Sequence, residues 1–289
     1  MRRFFLFPLL LAAAPAFAQL SPEPEEEVFP PEIVSDSASF GSDDEDRIYW
    51  TLNPIKGRPP LVISLRGHPS LSTRQRLDPL WLESFFYDSG WHPAHVHAWR
   101  SKPRTGSEHL AKLAEGIAAL VARAPRHGFD PNRILLVGEG YGGGLAALLA
   151  TDPSWLEAAG VPFSSIRGVL ALDPSGFDLS SEAAAADWRR KAIAKFVRPE
   201  SDVSRFSPLG HTAAPNTPNF LLYCVKRDSE GCAESERFAA AVRSSGSRAE
   251  VREAGPSRAR LYSAYLGHAS NREWKRLKQF LAEVAGVSP

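Results

Sequence analysis

The stretch "RILLVGEGYGGGLAALLAT" (133–151) decides the fold. Its first half is a run of branched aliphatic residues that reads as a buried strand. Its second half is small and apolar, as in a helix pressed flat against a sheet. Between them alternate Gly138, Gly140 and Gly142. Glycines there mark a tight turn, since glycine tolerates φ > 0 without a Cβ clash. A strand that turns straight into a covering helix predicts a mostly parallel sheet.

On both sides of this turn, strand and helix patterns alternate. "RIYWTLNP" (47–54), "PLVISLRG" (60–67) and the period-two segment "AHVHAW" (94–99) read as strands. Leu110, Leu113, Ile117, Leu120 and Val121 recur at three and four residues behind Ser107, which predicts a helix capped by that serine. "IRGVLALDPSG" (166–176), "NFLLYCV" (219–225) and "RAEVRE" (248–253) supply later strands, and helices are predicted over 233–246 and from about Asn271. Residues 178–216 are rich in alanine, proline and charge and carry no strand signal, which predicts a helical excursion over the strand ends. The expected architecture is α/β, one domain over 47–289 with helices on both faces of the sheet.

The segment ahead of that domain has a different character. "MRRFFLFPLLLAAAPAFA" (1–18) combines two arginines, an apolar run and the small residues Ala16 and Ala18, and it predicts a secretory signal peptide cut after Ala18. The other reading is an uncleaved anchor, for which the run is short against a span of about 20 residues. No later stretch is apolar enough to cross a bilayer, so no transmembrane segment is expected after cleavage. Residues 19–46 hold ten acidic residues and no basic one, which predicts a disordered acidic tail. The remaining domain carries a net charge of +9. Nothing in it resembles a nucleic-acid-binding motif, so no nucleic-acid partner is expected, and no cofactor either.

An export signal places the chain in the periplasm or outside the cell, where thiols oxidise. Cys224 and Cys232 then become a disulfide candidate, one at the end of a strand-like run and the other just before a helix. The alternative is a small buried hydrophobe at Cys224 and a free thiol at Cys232. No Cys or His spacing near them matches a zinc cluster.

Residues from about 47 to 285 resemble the esterase/lipase branch of the α/β-hydrolases, nearest to bacterial carboxylesterases related to kynurenine formamidases. The likeness is carried by 129–179, "FDPNRILLVGEGYGGGLAALLATDPSWLEAAGVPFSSIRGVLALDPSGFDL", and by "RFSPLGH" (205–211). It implies a three-layer α/β-hydrolase fold with a site at the carboxyl ends of the strands. The family places its serine nucleophile in the pattern G-x-S-x-G, and here that frame is "GEGYG" (138–142). Gly138 and Gly142 are retained, and Gly140 stands where the serine would be. The histidine window, "EAGPSRARLYSAYLG" (253–267), holds no histidine; the family's spacing puts the position near Ala259, and His268 lies beyond. The acid position falls on Lys226 in one register and on Asp228 in another. The oxyanion loop is "RGHPSLS" (66–72), with Arg66 at the histidine place, Gly67 kept, and His68 and Pro69 in place of flexible glycines. Proline has no N–H to donate, so damage to the hole is expected.

Three readings follow. The first is a catalytically inactive hydrolase relative that binds a small molecule, glycan or protein ligand in the old cleft. The second is an active carboxylic ester hydrolase with a rearranged site, drawing on Asp228 and His268 or another histidine. The third is ligand or metal binding by "WHPAHVHAW" (91–99), in which His95 and His97 share a strand face and His92 precedes them. Two histidines without a nearby carboxylate make a thin metal site, and no metal is expected.

Overall fold

The computed structural model describes residues 35–40, 43–51, 57–71, 79–98, 104–198, 202–213, 215–226, 229–256 and 271–286. Eight strands form one sheet: β1 (Ser35–Phe40), β2 (Asp43–Thr51), β3 (Pro60–Leu65), β4 (His92–His97), β5 (Asp130–Glu139), β6 (Ile166–Leu172), β7 (Asn219–Cys224) and β8 (Arg248–Glu253). Their spatial order is β1-β2-β4-β3-β5-β6-β7-β8. β1, β2 and β4 pair antiparallel, and every pairing from β4 to β8 is parallel. The helices are α1 (Pro79–Asp88), α2 (Gly106–Val121), α3 (Ala124–His127), α4 (Tyr141–Leu149), α5 (Pro153–Ala158), α6 (Leu179–Ala185), α7 (Asp187–Val197), α8 (Ser229–Ser244) and α9 (Arg272–Ala285).

Alternation along the strands builds a core on each face of the sheet. Leu61, Ile63, Leu136, Val169 and Phe220 meet α2, α4 and α8 on one face. Val62, Leu135, Leu170 and Tyr223 meet Phe85 and Phe86 of α1 and Leu277, Phe280 and Leu281 of α9 on the other. Central strands buried on both faces explain why 134–137 read as a continuous apolar run rather than an alternating one.

Two expectations change. The acidic tail was expected to stay disordered through residue 46, yet Ser35–Phe40 and Asp43–Thr51 are paired strands. A buried ion pair anchors β2. Asp46 has no exposed surface, and its two carboxylate oxygens accept from Arg104 Nη1 at 2.8 Å and Nη2 at 2.5 Å. Phe40 of β1 enters the core. A charge count cannot see that one acid of ten has a buried partner 58 residues away. Second, α2 is capped by Thr105, not Ser107: Thr105 Oγ1 accepts from Glu108 N–H at 3.3 Å while Glu108 Oε2 accepts from Thr105 N–H at 2.8 Å. This reciprocal pair satisfies two helix-end donors at once, which a lone serine cannot do. The strand at His92–His97, β4, lies between β2 and β3. The signal peptide at 1–18 and residues 19–34 of the tail lie outside the described residues, and no described helix is long and apolar enough to cross a membrane.

Asp46→Ala removes the fully buried carboxylate that faces the Arg104 guanidinium, itself only 9% exposed. Breaking one side of a buried pair costs about 3–5 kcal/mol. Urea unfolding should show a loss of that size, and a change below about 1 kcal/mol would mean that β1 and β2 are held by apolar packing alone.

Candidate active site

The carboxyl ends of β3, β5, β6 and β7 converge where β5 turns into α4. Gly140 is the turn residue, with φ 53° and ψ −126°, a conformation in which a side chain is strained. Its neighbours are glycine because of distance. A Cβ on Gly138 would lie 2.2 Å from the Gly142 carbonyl group, and one on Gly142 would lie 2.7 Å from the Leu65 oxygen and 3.1 Å from the Gly67 nitrogen. The turn is tied to β6 as well: Gly140 N–H donates to the Leu172 carbonyl at 3.0 Å, and the Gly140 carbonyl accepts from Ser175 N–H at 3.0 Å.

Asp173, directly after β6, is buried and has φ 47°, the one positive value at a non-glycine among the described residues. Its N–H donates to the Tyr223 carbonyl of β7 at 2.6 Å. Sequence reading missed this residue, because "LDPSG" signals a turn without saying which position takes the unusual φ. It also missed a clasp over the elbow. Tyr141 OH donates to Glu182 Oε2, and Glu182 Oε1 accepts from Gly176 N–H at 2.5 Å. The clasp fastens α6 to the turn, and burial pushes the Glu182 carboxyl above the usual range.

The loop after β3 keeps Gly67 against the elbow through the Gly142 contact, while the Arg66 side chain is exposed. His68 points inward and is fully buried. Its Nδ1 accepts from Ser70 N–H at 3.1 Å, so Nε2 carries the hydrogen and donates to the Arg104 carbonyl at 2.7 Å. His109 of α2 stands edge-on to it, with ring centroids 5.0 Å apart. Burial lowers His68 to about 4 and His109 to about 3, so both rings are neutral at pH 7. The loop thus rests on two neutral imidazoles.

The structure brings Gly138, Gly140, Gly142 and the Arg66–Gly67 backbone together. Lys226 is exposed beyond β7, its N–H donating to the Gly255 carbonyl at 3.0 Å. Cys224 and Cys232 are joined, with Cα atoms 5.2 Å apart, so the bridge closes the turn that carries Lys226. Asp228, Ala259 and His268 lie outside the described residues. His95 and His97 share a half-buried face of β4, but Glu83 of α1 pairs with His95, a carboxylate that the sequence did not place nearby. His92 is buried against Phe129 instead. Among the described residues no group of three or more His, Cys, Asp or Glu side chains could hold a metal ion.

No protein-family model and no curated protein matches the chain. Solved structures do. Esterase B from Lactobacillus rhamnosis (HN001) is 15% identical with a TM-score of 0.68, over 89% of this chain and 86% of that one. Thermogutta terrifontis esterase 2, phosphoramylated by tabun, is 18% identical with a TM-score of 0.67, over 90% of this chain and 99% of that one. With the strand order and the elbow, these likenesses define the architecture: the chain has the α/β-hydrolase fold.

The buried imidazoles make stability depend on pH with a definite sign. Their pKa values in the folded chain lie below the ordinary 6.5. Below pH 6.5 the unfolded chain therefore takes up protons that the native chain refuses, and the contribution, complete above 6.5, fades as pH falls toward 4. The full depressions are worth roughly 3 kcal/mol for His68 and roughly 5 kcal/mol for His109, of which about 3 is felt by pH 4. Glu234, pushed up to about 7, works in the opposite direction, so the measurement compares wild type with His109→Phe. The variant should gain on wild type by up to about 3 kcal/mol in urea unfolding between pH 6.5 and pH 4. A constant difference across that range would show that His109 does not resist protonation.

Proposed function

We propose that this chain is an exported protein of carboxylesterase ancestry that has lost catalysis and acts by binding a ligand or partner in the former cleft. One observation carries the reading: the elbow is built to hold a nucleophile, and Gly140 supplies none. Acyl transfer by this fold needs a hydroxyl at that turn, a histidine to take its proton and N–H donors for the oxyanion. The histidine window holds no histidine. Pro69 contributes no donor, and His68 is turned into the core. Two bacterial esterases among the structural neighbours support the ancestry. The signal-like residues 1–18 and the Cys224–Cys232 disulfide support export to an oxidising compartment.

The purified protein should not hydrolyse p-nitrophenyl acetate or butyrate above background, and a fluorophosphonate probe should label no serine. Covalent labelling of the folded chain would overturn the reading and favour an active ester hydrolase with a rearranged site. Gly140→Ser should lower stability by about 1–3 kcal/mol, since a Cβ enters a conformation that strains it. It should not restore turnover, because an unassisted serine hydroxyl is a poor nucleophile. Turnover should require at least Gly140→Ser together with Ala259→His. Esterase activity in the single variant would reveal a working base outside the expected window.

A further inference from the structure

A cavity of about 430 Å³ opens between α6, α7 and the first turns of α8, with Tyr141 on one wall. Pockets that hold small molecules begin at about 300 Å³. Exposure orders its lining from floor to rim. Glu182 and Glu234 are each 7% exposed and lie deepest. Arg189 is partly covered, Arg237 is open to solvent, and the rim carries Glu230 and Trp188, whose indole is 61% exposed.

The floor has polar capacity left over. Glu182 uses both oxygens within the protein, on Tyr141 OH and Gly176 N–H. Glu234 uses only Oε1, which accepts from Asp178 N–H at 2.6 Å. No hydrogen bond among the described residues engages its Oε2. A carboxylate so deeply buried is costly unless a cation or donor meets it. The groups facing Glu234 are Glu182 on α6, Asp178 ahead of it, and Arg237 on its own helix, with Tyr141, Arg189 and Glu230 across the cavity. Burial and the charge of Glu182 both push Glu234 up, to about 7.

The rim shows which chemistry these walls accept. Arg189 lies with its guanidinium 5.5 Å from the centre of the Trp188 ring and 4.0 Å from Glu230. A tethered cation already occupies the outer half of the cavity, on an aromatic face and beside a carboxylate. Such faces attract cations within about 6 Å. The geometry points to a binding site for a small organic cation, its ammonium or guanidinium group at Glu234 beside Glu182 and its hydrocarbon body against Trp188. The site does not depend on Gly140 being silent, since none of its groups belongs to the acyl-transfer machinery.

Isothermal titration of the intact protein with agmatine and with phenethylamine tests this. Both should bind saturably at pH 8, and phenethyl alcohol, the neutral counterpart, should not. Affinity should fall at least tenfold at pH 5.5, where Glu234 is protonated and the amines are still charged. Glu234→Gln should weaken binding at least tenfold with the fold intact by thermal melt. Arg189→Ala should tighten it by removing the tethered competitor. If Glu234→Gln fails to fold, Trp188→Ala decides, because that side chain is exposed and its loss should still weaken binding several-fold. Agmatine should bind more tightly than Nα-acetylarginine amide, which stands for an arginine of another protein. Equal or tighter binding of the capped arginine would overturn the assignment to a free small molecule. Equal binding of the neutral alcohol, unchanged affinity in the folded variants, or no saturable binding of either amine up to millimolar concentration would overturn the site itself.

Discussion

The contact between Gly138 and Gly142 governs the rest of the molecule. For β5 to become α4 within two residues, the chain must pass itself at a separation that a Cβ would close to 2.2 Å. Only glycine permits it. That passage sets α4 flat on the sheet, and Gly142 in turn lets the backbone of Leu65–Gly67 lie against the elbow. The loop after β6 is drawn in by the two hydrogen bonds of Gly140. Three strand ends are thereby brought to one point.

Buried polar groups then hold the surroundings in register. Asp46 ties the antiparallel edge to Arg104, and the Arg104 carbonyl receives the His68 hydrogen. The acidic strand β2, the start of α2 and the loop after β3 are therefore one connected unit. Glu182 does the same on the opposite side, linking Tyr141 of the elbow helix to the Gly176 backbone. Each of these groups would be expensive to leave unpaired in the interior, so they specify one arrangement rather than merely adding stability.

What could be read from the sequence follows from how local each signal is. The elbow, the central strands and α9 were legible because glycine spacing, apolar runs and 3.6-residue periodicity are local patterns. The disulfide was legible as a candidate because strand end and helix start are close in sequence. The edge strand β1 was not, since it pairs with β2, whose Asp46 meets Arg104, 58 residues away. The Glu182 clasp and the Glu234 floor were hidden for the same reason. Both glutamates sit in polar helical segments that read as solvated, and only the tertiary fold turns them inward. Ser107 and Thr105 differ by two residues, and the reciprocal bond to Glu108 decides between them.

Gly140 also has a physical logic of its own. A nucleophile at an elbow is held at positive φ by its surroundings, and the strain is tolerated while the hydroxyl is needed. Glycine at φ 53° occupies the same turn without that strain. The hydrogen bonds to Leu172 and from Ser175 and the close passage at Gly142 involve backbone alone and need no side chain at residue 140. The scaffold does not need the serine, whereas the serine needs the scaffold. Glycine at this one position keeps every contact that shapes the turn: the close passage at Gly142, the bond to Leu172 and the bond from Ser175.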